Sequence, residues 1–187
     1  MPQYYTITTA PTAVISLEDA KKQLRIDPIV THEDNEILAF IDQATEIAEN
    51  YIGRIIAQRT LEIKSGDFVS EIKEAYTPVS SIVSIKTELD NGAIQTLVAD
   101  TDFYLRNLSK TEQRIEYVEA NLGALSVIKT TPVTTILQVG YTADNCPKSI
   151  IAAIKLIISR LYEFREDTSQ DKTLASQNIL RAFKVWN

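Results

Sequence analysis

The sequence predicts an α+β fold: a small helical bundle of two long helices plus short helices, carrying an inserted antiparallel β domain, sandwich or barrel-like. Three observations predict it. Two stretches of helical periodicity, over 31–52 and 147–167, lie far apart in the chain. Everything between them, from 54 to 141, reads as short alternating strands broken by turns. Two long helices so separated pack together only if the chain returns to where it left. The expected organisation is therefore a helical domain of 1–53 plus 142–187 and an inserted β domain of 54–141, with the ends of the insertion close together.

Taken in order, residues 1–15 read as extended and polar, with Pro2 and Pro11 opposing helix. Tyr4 and Tyr5 lie in this arm, which either adds a strand to a neighbour's sheet or stays without structure. Ser16-Leu17-Glu18-Asp19 has the form of an N-cap with an acid three residues on, opening a short helix to about Arg25. Ala20 and Leu24 share its buried face, and Asp27-Pro28 ends it. Thr31-His32-Glu33-Asp34 repeats the cap pattern, with acids suited to the positive end of a helix dipole. Ile37, Ile41, Ala44, Ile47 and Tyr51 then recur at helical spacing, with Ala48 beside them. Gly53 stands where a left-handed C-terminal cap belongs.

Strands are expected over 58–64, 71–76, 80–89, 93–98, 103–106, 113–118 and 134–141, a spacing typical of a small sandwich or barrel. Asp90-Asn91-Gly92 is the strongest hairpin signal, because Asn-Gly tolerates the positive φ of a tight turn. Residues 122–131 are ambiguous. Over 147–167 the apolar residues leave only a narrow polar stripe through Lys148, Lys155, Ser159, Glu163 and Glu166. A helix apolar nearly all round is buried on most sides. A second subunit is one source of cover, and Ile151, Ile158 and Tyr162 are the candidate subunit-interface residues. The last stretch, 175–186, is an amphipathic helix capped by Ser176. It puts Ile179, Phe183 and Trp186 on one face, flanked by Leu180. Aromatic anchors beyond a polar hinge suit a docking surface, or fold back on their own bundle.

Composition narrows the function. Of the 187 residues, 44% are hydrophobic and 24% charged, as in soluble globular proteins. The apolar run 150–154 is far short of a membrane span. The first residues lack a basic segment followed by an apolar core, so no secretory signal is expected. The one cysteine, Cys146, excludes an intramolecular disulfide and a multi-cysteine zinc site. The net charge of −6 falls entirely within 1–53, where acids outnumber bases nine to three. An acidic helical segment opposes tight phosphate binding, which needs clustered Lys and Arg.

No catalytic constellation emerges. His32, the one histidine, lies in a helix cap, where a structural or solvated role is the simpler reading. Cys146 as a nucleophile would need a base, and His32 is the one imidazole in the chain. Asp100-Thr101-Asp102 lacks the further ligands of a metal site and reads as a turn. The glycines form no phosphate-cradling loop. No catalytic, cofactor-binding or metal residue is expected, and no cofactor.

A series of short motifs resembles the head–tail connector (adaptor) family of tailed phages. Leu17-Glu18-Asp19-Ala20-Lys21, Leu24-Arg25-Ile26-Asp27 and an acid-capped helix ending Ala48-Glu49-Asn50-Tyr51-Ile52-Gly53-Arg54 open the series. Gln58-Arg59-Thr60, Pro78-Val79-Ser80-Ser81-Ile82, Asp102-Phe103-Tyr104, Val139-Gly140-Tyr141, Pro147-Lys148-Ser149-Ile150 and Leu161-Tyr162-Glu163-Phe164-Arg165-Glu166 follow in the family's order. Phe164 departs from the pattern, where a polar residue, often Asn, is usual, and the stretch after 168 matches loosely. The resemblance implies a structural virion protein without catalysis. It implies a ring of about twelve copies under the portal protein, closed through a head-to-tail interface, with the free chain compatible with a monomer. Such a ring extends the DNA channel and offers a docking surface to the next neck or tail protein.

Carried onto this sequence, the portal-docking residues are Ile179, Leu180, Phe183 and Trp186. Glu33, Asp34, Glu36, Asp42, Glu46 and Glu49 would form an acidic channel face past which DNA slides without specific binding. The implied location is the virion neck, after assembly in the bacterial host cytoplasm, with no membrane involved. The alternatives are another neck or head-completion component, such as a stopper or tail terminator, and a non-enzymatic nucleic-acid-binding module acting through the β block. Against the last, 54–141 show no basic, aromatic-lined cluster.

Overall fold

The computed structural model describes residues 3–89, 91–108, 112–122, 133–164 and 174–185. In chain order its elements are β1 (Gln3–Ile7), α1 (Leu17–Leu24), α2 (Asp34–Ile52), β2 (Arg59–Ser65), β3 (Val79–Glu88) and β4 (Ile94–Thr96). Then come β5 (Phe103–Asn107), β6 (Gln113–Tyr117), α3 (Glu119–Leu122), β7 (Val133–Val139), α4 (Lys148–Glu163) and α5 (Ala175–Leu180). The chain forms two compact units, one of residues 1–11 and 58–140, the other of 12–57 and 141–187. The fold class is α+β, as the sequence predicts. The first eleven residues group with the strands rather than with the helices.

The β unit contains an open five-stranded sheet of order β1-β2-β7-β3-β4, antiparallel throughout, and the separate hairpin β5-β6. It is not a closed barrel. Alternation places Leu61 and Ile63 of β2, Thr135 and Leu137 of β7 and Ile85 of β3 on one buried face. Gln113 on β6 clasps the hairpin to β3: its Oε1 accepts from the Val79 N–H at 2.5 Å, and its Nε2 donates to the Val79 carbonyl at 2.9 Å. The Asn91-Gly92 turn forms as expected, with Gly92 at φ +79° and a bond from its N–H to the Leu89 carbonyl.

Two expectations for this unit need correction. The N-terminal arm does not stay unstructured; β1 pairs with β2 of its own chain, Gln3 opposite Ser65 through Ile7 opposite Leu61. Tyr5 holds it there, stacked on Tyr76 at 4.6 Å with the Lys73 ammonium over its ring. The stretch 71–76 is not a strand but an isolated bridge at Glu71 followed by a 3-10 turn over Glu74–Tyr76. That turn is what presents Tyr76 to Tyr5.

In the helical unit, Ser16 caps α1 by accepting the Asp19 N–H at 3.1 Å. The N-cap of α2 is Glu33, without a side-chain bond, so Thr31 is not the side-chain cap its position suggests. Gly53 ends α2 at φ +71°. Ile37, Ile41, Ala44 and Ala48 of α2 share a core with Ile150, Ala153, Ile154 and Ile158 of α4. The alanines let the two helices approach closely. Helices α1 and α5 also pack on α4. The apolar circumference of α4 is therefore covered largely by its own chain.

Burial separates neighbours on α4. Ile154→Ala should cost about 2–5 kcal/mol in chemical denaturation, as a fully buried truncation. Leu156→Ala, at a side chain 40% exposed, should stay within about 0.5 kcal/mol. In the β unit, burial raises the pKa of Tyr117, whose hydroxyl donates to the Val69 carbonyl at 3.0 Å. Unfolding lets this phenol ionise near its ordinary pKa, so its stabilising contribution is present below about pH 10 and is lost as pH rises above that. Alkaline titration followed by circular dichroism should show a shallower loss of stability in the Tyr117→Phe variant.

Candidate functional site

The acidic stretch of α2 is chemically heterogeneous. Lys21, buried on α1, donates to the carbonyls of Pro28 (3.3 Å) and Val30 (2.7 Å) and pairs with the Asp34 carboxylate at 2.5 Å. Asp34 thus closes the α1–α2 loop around a buried ammonium. Glu33 accepts a hydrogen bond from the Tyr162 hydroxyl at 2.7 Å, tying α2 to α4, and also contacts His32. The Glu49 carboxylate accepts from the backbone N–H groups of Ile56 (2.7 Å) and Ala57 (2.9 Å). These three acids serve the chain's own structure. Asp42 and Glu46 are exposed, and Glu36 is half-buried. Of the acidic face expected from the sequence, Asp42 and Glu46 remain the solvent-facing charges.

Glu49 carried a signal the sequence reading passed over. A carboxylate one turn from the C-terminal end of a helix opposes the macrodipole and needs a local partner. The amides of Ile56 and Ala57, beyond the Gly53 cap, supply it.

Other candidates also change. Ile158 is 0% exposed and belongs to the core of its own unit, so it cannot present a face to another subunit. Ile151 is half-buried against that core. Tyr162 is occupied by Glu33 and by an edge-on contact with Phe40, centroids 6.5 Å apart. In the C-terminal segment Leu180 is 1% exposed, and Ile179 and Phe183 pack against the same core. Over 174–185 the tail folds back on its own bundle. The Val185 N–H donates to the Ile52 carbonyl at 2.8 Å, and Lys184 lies over the Tyr51 ring. Trp186 lies outside the described residues. Ser176 is buried within α5 and is not its cap; the Gln177 side chain accepts from the Leu174 N–H instead.

Between α2, α4 and α5 lies a cavity of about 460 Å³, lined by Phe40, Ile47, Tyr51, Leu161 and Phe164 among others, with Glu36 and Arg160 as its charges. Ile47, expected in the α2 core stripe, is instead 41% exposed on this groove. Phe164, the residue that departs from the family pattern, lines it too.

Cys146 is buried, and that burial raises its thiol pKa to about 11, which leaves it protonated and unreactive at neutral pH. His32 sits in solvent beside Glu33. Among the described residues no cluster of potential metal ligands occurs, and no helix is long and apolar enough to cross a membrane.

Glu49→Ala should destabilise the helical unit by about 2–3 kcal/mol in denaturant unfolding, because two amides lose a charged acceptor. Cys146 should resist labelling by a thiol reagent at pH 8 in the native protein and react at once in denaturant.

Residues 14–83 match the family model of phage gp6-like head-tail connector proteins. Among solved structures, a chain in the neck of an empty gene transfer agent (GTA) particle, computed with C6 symmetry, shares the fold. Its TM-score is 0.76 at 15% identity, over 98% of this chain and 96% of that one. A chain of the native gene transfer agent virion gives 0.73 at 15% identity, and one from the native neck computed with C12 symmetry gives 0.69 at 16%. Both cover 98% of this chain and 96% of the other. No curated protein matches the chain. The resemblance read in the sequence is thus borne out: over residues 14–83 this chain matches the gp6-like head–tail connector family.

Proposed function

We propose that this chain is a structural protein of the neck of a phage-type particle. In the specific reading it is the head–tail adaptor: a ring under the portal that extends the DNA channel and receives the next neck or tail component. One observation carries the reading. The stretch that matches the connector family lies within a fold shared, over nearly its whole length, with chains found in particle necks. Those necks were computed with C6 and C12 symmetry, which supports a ring for this chain as well. The role is mechanical rather than enzymatic, and its location is the virion neck after assembly in the host cytoplasm.

Within this role the channel face rests on Asp42 and Glu46, the acids not committed to internal structure. Fixed negative charge repels phosphate and lets DNA slide past. Portal docking rests on Trp186 with the half-buried Ile179 and Phe183. Leu180 drops out of that surface, and removing the whole tail would open the bundle core, so truncation is not a clean test of docking.

Particles made without this chain should accumulate as DNA-filled heads that do not join tails. Normal tailed particles would contradict the adaptor reading. Completed heads whose free tails differ in length would favour a tail terminator. Tight DNA binding by the pure chain at low salt would favour the nucleic-acid module instead. The double variant Asp42→Asn/Glu46→Gln should release DNA more slowly than wild type. Trp186→Ala, which leaves Leu180 in place, should weaken attachment to portal-bearing heads.

A further inference from the structure

Among the described residues, the five-stranded sheet ends in two open strands, β1 and β4. Each neighbouring pair in the order β1-β2-β7-β3-β4 is antiparallel, so β1 and β4 run in the same direction. Their free hydrogen-bonding groups follow from the ladders. The Thr8 N–H bonds to the Thr60 carbonyl at 3.0 Å, which continues the β1–β2 register. Bonded pairs alternate along an antiparallel ladder, so Tyr4 and Thr6 also bond to β2. Gln3, Tyr5 and Ile7 then direct their amides and carbonyls off the open edge. On the other side, bonds from the Leu97 N–H to the Ile85 carbonyl and from the Leu89 N–H to the Ala93 carbonyl turn Ala93, Gln95 and Leu97 toward β3. Ile94 and Thr96 direct theirs off the opposite edge.

Neither edge is guarded by charge or by proline along its strand. No charged residue and no proline falls within Gln3–Ile7 or Ile94–Thr96. Both instead expose apolar side chains. Tyr4 is 66% exposed, on the sheet face of its cross-strand neighbour Lys64, and Ile94 is 72% exposed, on the face opposite the buried Thr87. Ile7, 49% exposed, adds to the first edge.

We propose that these edges mate between copies of the chain, β1 of one copy running parallel beside β4 of the next. The Tyr5 N–H reaches the Ile94 carbonyl and the Tyr5 carbonyl accepts the Thr96 N–H, which sets Tyr4 beside Ile94 on one face. The partner is a second copy because the two edges complement each other in direction, unpaired groups and exposed apolar side chains. Two different surfaces on one chain form a head-to-tail contact, the kind that builds a ring where the rotation between copies closes, whereas β1 against β1 stops at a two-fold dimer with β4 still open. The proposal rests on the ring reading above and assigns part of its subunit interface.

The test uses full-length chain in a Cys146→Ala background, in rings formed by the pure protein or isolated with particle necks. Under oxidation, the Tyr4→Cys/Ile94→Cys variant should form a ladder of covalent multimers, and each single variant should stay uncrosslinked. Ile94→Pro removes an outward N–H while keeping the bonds to β3. With circular dichroism unchanged, it should raise the concentration needed for ring assembly at least about tenfold. Intact rings without cross-links in the double variant, or dimers from Tyr4→Cys alone, would overturn the edge pairing and leave the ring reading standing. No ring in either source would overturn the ring reading, and the edge pairing with it.

Discussion

All seven residues of β2 pair antiparallel with the seven of β7, from Arg59 opposite Val139 to Ser65 opposite Val133. Much else depends on this pairing. It places the two strands that leave and re-enter the helical unit side by side. A further bridge between Ala57 and Tyr141 continues the juxtaposition among the residues grouped with the helices. Because the ends of the insertion are pinned together, α2 and α4 can form one core although the β unit lies between them in sequence. Glu49 supports the arrangement from the helical side by fixing the amides of Ile56 and Ala57, the last residues of that unit before the chain enters the β unit. A strand insertion thus behaves as a closed loop on a helical unit, and its length matters less than the geometry of its base.

The composition of α4 has the same origin. A helix apolar on nearly every side needs neighbours on nearly every side, and the return of the chain provides them in α1, α2 and α5. No partner subunit is required to account for it. Among the described residues, the edges β1 and β4 of the sheet have no further strand beside them and carry no charged side chain. Each unit buries its own set of large aliphatic side chains, Ile37, Ile41, Ile154 and Ile158 in the helical one and Leu61, Ile63, Ile85 and Leu137 in the β one.

Local signals were legible in the sequence. The helical period of α2 and α4, the Ser16 cap, the Gly53 cap and the Asn91-Gly92 turn depend on residues close in the chain, and each formed where its pattern stood. The α+β class followed from them. What the sequence hid depends on remote partners. Nothing near Tyr5 announces Tyr76, and nothing near Gln113 announces Val79, so β1 and the hairpin clasp were out of reach. The candidate site was legible as a family and much less so as residues. Hydrophobicity alone cannot separate Ile158, sealed in the core, from Ile47, open on the groove, since both recur at helical spacing. Acidity alone cannot separate Asp34, bound to Lys21, from Asp42, in solvent.

The central claim is positional: the proposed place of this chain is the neck of a particle. Cryo-electron microscopy of particles that carry the chain tests it most directly. The account predicts a ring of this chain between the portal and the next neck component, with its acidic residues Asp42 and Glu46 toward the DNA channel. Density for the chain outside the neck, or none in the particle, would contradict it.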